Sequence, residues 1–410
     1  MQTRGADPFM PEPLSILCIA SYHKGQAFLR EAKRQGARVY LVTSESLRDA
    51  DWPRECLDDI FFVHDDDKKW RLDDLLLGAS HLARSVAIDR VVPLDDFDLE
   101  KASALREHLR VPGMGETTTR YFRDKLAMRM RAEEHGVRVP AFVHVLNEAK
   151  LRAFAARVPA PWVLKPRMEA GTIGIRKVAS EAELWPLIDA LGDRASSHLL
   201  EQFVPGDVCH VDSIVYERDV LTAVSSQYGR PPFDVSHAGG VFTTQLIERG
   251  SADDTALQAF NREVLRTLGL VRGVSHTEFI KGRDGQWYFL ETSARVGGAH
   301  IVELVEAATG MNLWAEWAKV ELAGGKTPYA LPPMRRDYAG LVTSLAKDET
   351  PDLSAFDAAE VVWRMSKPYH AGLIVASPDR ARVAALVDEY ARRFTDAHST
   401  FIPPGNKPHD

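Results

Sequence analysis

Short apolar runs and helix-like stretches alternate along the first hundred residues. Positions 14–20, 38–43, 60–63 and 89–93 read as strands, and positions 25–35, 72–83 and 99–109 as helices. That alternation predicts a parallel sheet with helices on its faces, and we place one small α/β domain over residues 13–115. The run Asp65-Asp66-Asp67-Lys68-Lys69 inside it reads as a solvated loop.

The pattern then changes. Thr117, Thr118 and Thr119 offer N-caps for a helix running to Glu134, and Gly136 stops it. Strand patterns dominate from there, at 141–145, 162–166, 199–204, 210–216, 221–226, 274–280 and 287–292, with helices at 181–191, 253–268, 301–308 and 313–322. This α+β arrangement predicts a second domain over 116–327, in two parts at about 116–205 and 206–327. A proline-containing linker at 328–333 precedes strands at 338–345, 360–365 and 372–376 and a helix at 380–394, read as a small C-terminal α+β domain over 335–410.

Composition narrows the function classes. The 51 basic and 58 acidic residues leave a net charge of −7, which gives no reason to expect nucleic acid or an anionic membrane as partner. A polyanion site must therefore be built from a few placed cations and backbone amides. Cys18, Cys56 and Cys209 fit no metal or disulfide spacing, as in a cytoplasmic protein. No run approaches the roughly 18 apolar residues of a membrane span. Met1–Phe9 has no signal-peptide core and reads as leftover sequence ahead of Met10.

The chemistry concentrates in residues 273–298. Two strand patterns flank Asp284-Gly285, a preferred pair for a two-residue type I′ hairpin turn. In that register Glu278 faces Glu291 and His276 faces Ser293. Strand alternation then puts His276, Glu278, Glu291, Ser293 and Arg295 on one face. Facing carboxylates repel and invite a cation, and Mg2+ takes oxygen ligands from one or two carboxylates plus substrate phosphates. Arg295 can hold a phosphoryl group or a carboxylate through paired hydrogen bonds. Gly297-Gly298 permits close backbone approach to a ligand ahead of a helix N-terminus.

These residues resemble the metal-binding hairpin of the ATP-grasp superfamily, and the resemblance extends over roughly 13–325. It implies an N-terminal Rossmann-like (pre-ATP-grasp) domain, a two-part ATP-grasp domain holding ATP, and Mg2+ (with Mn2+ as a substitute) on Glu278 and Glu291. Ser293 stands where the family usually has Asn. Lys165, at a strand end, and the following Gly171, Thr172 and Gly174 are similar to its ATP-contacting lysine and phosphate loop. Lys125 matches its second ATP-contacting lysine. Glu201, Phe203 and Val204 resemble the hinge that meets adenine, with Asp207 at the ribose. His276, Arg295, Gly297 and Gly298 are the implied substrate contacts, with Arg295 catalytic. Residues 226–240, with Tyr228, Arg230 and His237, read equally as a substrate lid or a long loop, and His210 and Asp212 as structural.

The implied reaction is amide or peptide-bond formation through an acyl phosphate, between small-molecule carboxylate and amine substrates, with release of ADP and phosphate. Residues 293–313 look most like L-amino-acid (dipeptide) ligases. A biotin-carboxylase-like enzyme and a non-catalytic ATP-binding module stay open as alternatives. A homodimer is allowed, and the sequence specifies no oligomeric state.

Overall fold

The computed structural model describes residues 13–66 and 69–400. Met1–Phe9, and Asp67 and Lys68 of the charged run, lie outside the described residues. Asp65–Asp66 and Lys69–Trp70 pair antiparallel rather than forming a plain loop.

The chain divides into two compact units, one containing residues up to Glu116 with Trp314–Tyr329, the other Thr117–Leu313 with Ala330 onwards. In the first, β1 (Ser15–Ala20), β2 (Arg38–Ser44), β3 (Asp59–Val63) and β4 (Arg90–Pro93) form a parallel sheet in the order β3-β2-β1-β4. Every residue of β1 is buried, as a strand covered on both faces requires. Leu17, Ile19 and Val91 pack on Leu75, Ala79, Ala102 and Leu105 from the helices Leu72–Ala83 and Leu99–Leu109.

The second unit holds two antiparallel sheets. The smaller contains β5 (Phe142–His144), β6 (Trp162–Pro166), β7 (Arg176–Val178) and β8 (His198–Gln202), ordered β5-β8-β6-β7. Trp162, Leu164 and Leu200 seal it against helices Glu148–Arg157 and Glu181–Leu191 through Phe154 and Leu184.

The larger sheet has β9 (Gly206–Tyr216), β10 (Asp219–Tyr228), β11 (Phe242–Leu246), β12 (Gly273–Gly282), β13 (Trp287–Ser293), β14 (Tyr338–Leu345), β15 (Val361–Arg364) and β16 (His370–Ser377). Their order is β13-β12-β9-β10-β11-β14-β16-β15. The C-terminal strands therefore continue the sheet of the preceding segment, through pairing of β11 with β14 from Phe242↔Thr343 to Gln245↔Gly340. Helix Arg380–Ala397 covers this end with Val383, Leu386, Tyr390 and Phe394.

Phe279 on β12 pairs with Phe289 on β13 on the face opposite Glu278, and both are fully buried. Phe260 of helix Ala252–Leu268 lies 5.3 Å from the Phe279 ring. This aromatic contact fixes the height of the hairpin over the helix. Phe279→Ala should lower stability by about 3–5 kcal/mol, read as a shift in the denaturant midpoint of the second unit's transition; a loss under about 1 kcal/mol would show that the contact does not hold the hairpin.

Candidate functional site

The hairpin reaches the expected pairing by a different route. Gly285 is left-handed (φ 76°), its N–H donates to the Gly282 carbonyl, and the Gly282 N–H donates to Gln286. The loop is thus three residues, Arg283-Asp284-Gly285, instead of a two-residue type I′ turn. A turn followed by a left-handed glycine gives the same strand reversal. Lys281↔Trp287, Ile280↔Tyr288 and Phe279↔Phe289 follow that turn, and carried further it would set Glu278 against Leu290. A bulge on β13 then shifts the register by one, so that Glu278 faces Glu291 and His276 faces Ser293. Bulges re-aim side chains beside binding sites. Here consecutive Leu290 and Glu291 both line one cavity.

That cavity lies within the second unit, and both lysines expected there line it. Lys165 is the penultimate residue of β6, and its Nζ is 2.7 Å from Glu201 on β8. Lys125 opens the helix Lys125–Glu134, whose N-cap Asp124 accepts from Leu126 and Ala127 and is gripped by Arg167 through two nitrogens. Its Nζ donates to the Glu169 carbonyl at 2.6 Å and lies 3.1 Å from Glu291. Sequence reasoning missed Arg129, one turn along from Lys125 on the same helix face. It is fully buried, with Nε 2.7 Å from Glu201. The i, i+4 spacing was the available signal.

These contacts set the protonation states. Burial alone would raise the Glu291 carboxyl, but Lys125 and Lys165 outweigh it and bring it down to about 2. Burial opposes ionisation of Glu201 as well, and Arg129 and Lys165 hold it below the ordinary range. Desolvation lowers the Lys165 ammonium, with Glu201 working against that shift.

Glu278 belongs to a second network. Tyr228 donates its hydroxyl to Glu278 at 2.8 Å. Burial and that carboxylate raise the phenol's pKa well above its usual value. The His276 Nε2 lies 3.6 Å from Glu278, and its Nδ1 lies 2.9 Å from Asp212. Asp212 also bonds His210, which reaches Thr244. His210, Asp212 and His276 are the described residues whose donor atoms cluster closely enough for a metal, but each is already satisfied by another member of the chain. Through these bonds His210 and Asp212 form a hydrogen-bonded scaffold behind Glu278. Burial lowers the His276 pKa, but Asp212 and Glu278 dominate and raise it to about 9.

The rest of the cavity is mainly apolar. Val163, Ile175, Phe203, Val204, Val208 and Ile280 form a slot suited to a flat heterocycle, and Lys177 stands over the Phe203 ring at 3.8 Å. Gly171 and Gly174 are left-handed, and so is Thr172 (φ 68°). A Cβ on Gly174 would come within 2.8 Å of Pro166, so this loop requires glycine there. Residues 226–240 contain a short helix, Pro232–Ala238, and Ser236 accepts from Thr172 at 2.7 Å. Pro231, Phe233 and Asp234 line the same cavity as Gly171 and Thr172, and the Thr172–Ser236 bond joins the segment to the loop.

One expected residue falls elsewhere. Asp207 alternates with Gly206 and Val208, which line the cavity, so it points to the other sheet face, opposite Lys281. Glu201 lines the cavity, with its carboxylate ion-paired to Lys165 and Arg129. Ser293 is buried beside His276 in the register. Arg295 donates to the Val296 carbonyl at 2.6 Å. Gly297 is needed because a Cβ would come within 2.9 Å of Asp212, while Gly298 opens on free space.

Residues 158–303 match the ATP-grasp domain family. An L-arginine-specific L-amino acid ligase of Bacillus subtilis is 22% identical over 233 residues, covering 55% of this chain and 56% of that protein. A D-alanine–D-alanine ligase of Bordetella avium is 28% identical over 240 residues, covering 55% of this chain and 74% of that one. The chain spans about half the length of the first curated relatives it matches, 56% of the Bacillus protein and 52% of one from Sinorhizobium fredii. Among solved structures, an L-amino acid ligase from Bacillus licheniformis superposes with a TM-score of 0.72 at 18% identity, covering 96% of this chain and all 100% of that one. A carboxyaminoimidazole ribonucleotide synthase complexed with ATP superposes at 0.71 with 13% identity, covering 93% and 99%.

The raised pKa of His276 has a consequence for stability. A cation favoured in the folded state contributes fully below its unfolded pKa of about 6.5 and is lost as pH rises through about 9. Between those values the second unit should lose about 3 kcal/mol at most, and His276→Gln should flatten the profile. Denaturant midpoints at intervals across this range measure it; equal slopes in both proteins would refute the assignment.

Proposed function

We propose that this chain, which has the ATP-grasp fold and an ATP-grasp domain over residues 158–303, binds ATP in the cavity described and spends its γ-phosphoryl on activating a carboxylate for attack by an amine. The observation that carries the reading is the convergence of Lys125, Lys165, Glu278 and Glu291 at the polar end of a mainly apolar slot. Adenine suits the slot, and the triphosphate suits the lysines and the amides of the left-handed loop. Likeness to ligases that join amino acids supports amino-acid-like substrates. Three unpaired cysteines agree with a reducing compartment such as the cytoplasm.

Glu278 and Glu291 fit Mg2+ or Mn2+: both are oxygen donors, they sit directly opposite each other, and each is held ionised or hydrogen-bonded by a neighbour that can yield. Such an ion, when bound, supplies charge neutralisation at the phosphates. Ser293 would add a weaker hydroxyl ligand.

Phosphoryl transfer is governed mainly by positioning and charge, and the chain's residues are arranged for that. Lys165 neutralises phosphate oxygens from a fixed place, because Glu201 and the strand hold it. Lys125 spends its charge on Glu291 in this state and on phosphate once that carboxylate is otherwise engaged. The substrate carboxylate attacks the γ-phosphorus, and the bond to the β-phosphate oxygen breaks with release of ADP. Arg295 stabilises charge on the transferring group. The amine then attacks the acyl carbon, and phosphate leaves as the amide forms. Thr172 and Ser236 close the glycine loop against helix Pro232–Ala238, which keeps water from the acyl phosphate.

Glu291→Ala should reduce substrate-dependent ADP release by on the order of 10²-fold or more; near-normal turnover would remove the metal assignment. Arg295→Ala should leave ATP affinity by calorimetry within about threefold while turnover falls about 10²-fold. Equal losses of both would place Arg295 in nucleotide binding. Each assay run with and without bicarbonate and biotin tests the carboxylase alternative, which requires ADP release to depend on them.

A further inference from the structure

Glu278 does not offer its two carboxylate oxygens equally. Its Oε1 accepts the Tyr228 hydroxyl at 2.8 Å and lies 3.6 Å from the His276 Nε2. Among the described residues nothing donates to Oε2. Glu278 lines the cavity and its side chain is 16% exposed, so Oε2 is the oxygen left for a ligand.

The groups on the Oε1 side are fixed. Tyr228 is buried, and its ring packs 4.8 Å from the His210 ring and 5.4 Å from the Phe242 ring. Its backbone is held between two strands, with Gln227 paired to Cys209 on β9 and Tyr228 itself paired to Thr244 on β11. His276 is anchored in turn by Asp212 at 2.9 Å. Partners of this kind orient a ligating carboxylate. Glu291 is held differently, by the Lys125 ammonium at 3.1 Å, a flexible cation with no fixed ring behind it.

Divalent ions differ in what they ask of such a group. Mg2+ requires an octahedron and keeps several waters, so one carboxylate oxygen serves it, whereas Ca2+ takes roughly six to eight oxygens and accepts both oxygens of a single carboxylate. An ion that uses Oε2 alone leaves the phenol bond intact. An ion that takes both oxygens must break it, and the buried Tyr228 hydroxyl is then left unsatisfied, which is costly.

We propose that Tyr228 is a positioning residue for metal choice: by occupying Oε1 of Glu278 it favours Mg2+, which needs one oxygen, over Ca2+, which gains from two. The inference rests on the reading of Glu278 and Glu291 as the metal-holding pair of the ATP site.

Calorimetry of the full chain with ADP, in EDTA, in excess Mg2+ and in excess Ca2+, tests it. For the wild-type chain we expect ADP to bind tighter in Mg2+ than in EDTA, and tighter in Mg2+ than in Ca2+. Tyr228→Phe keeps the ring and its packing, so the chain should fold. It should narrow the preference for Mg2+ over Ca2+ about tenfold, through tighter binding in Ca2+, while affinity in Mg2+ and in EDTA stays within about threefold. Tyr288→Phe, which removes a phenol–carboxylate bond to Asp284 outside the cavity, should leave the preference unchanged. A merely structural role for Tyr228 would lower all three affinities together and would overturn the proposal. So would an unchanged preference in Tyr228→Phe, or one narrowed equally by Tyr288→Phe. ADP affinity indifferent to metal in the wild-type chain would overturn both the proposal and the reading of the two glutamates beneath it.

Discussion

Charge in a space with little water governs the cavity lined by Lys125 and Lys165. Lys165, Arg129 and Glu201 are almost wholly removed from solvent, and one carboxylate answers two cations. That excess cannot be screened by water, so it is felt across the cavity, where it helps hold Glu291 ionised at a pKa of about 2. Removing the carboxylate from such a cluster would leave uncompensated buried cations, a defect of several kcal/mol in comparable sites. The arrangement is therefore a poor choice for stability alone. It makes physical sense when a polyanion enters, because the fixed cations then meet phosphate without first having to reorganise.

The second network works from the other side. Tyr228, His276, Asp212 and His210 tie three neighbouring strands together behind Glu278. Their effect is orientation: Glu278 is held by a phenol and faces an imidazole, so it does not turn away towards solvent. Phe279 and Phe289 hold the same hairpin from the opposite face. The two facing carboxylates thus have different supports, a lysine for one and a hydrogen-bonded chain for the other.

Much of this was legible in the residue order. The parallel sheet follows from alternating apolar runs, and the opposition of Glu278 and Glu291 from a turn signal and strand periodicity. The turn itself was wrong by one residue, and the bulge at Leu290 restored the pairing. Neither deviation has a distinctive residue signature, because Asp-Gly serves both loop types and a bulge needs no glycine. Asp207 failed for a related reason: its role came from proximity to a glycine, while its direction was set by alternation along β9. Arg129 could have been found from its spacing to Lys125. The contact of Tyr228 with Glu278 spans 50 residues and could not, since it depends on β9 lying between the two strands. The same holds for the joining of β11 to β14, which only the folded sheet reveals.

In the proposed reaction a carboxylate is phosphorylated on this scaffold. Trapping with hydroxylamine examines that step directly: the chain is incubated with Mg-ATP, an amino-acid panel and hydroxylamine in place of the amine. The account predicts hydroxamate formed in equal amount with ADP, dependent on the carboxylate supplied. ADP release without hydroxamate for every carboxylate tried, or hydroxamate absent while bicarbonate drives turnover, would contradict it.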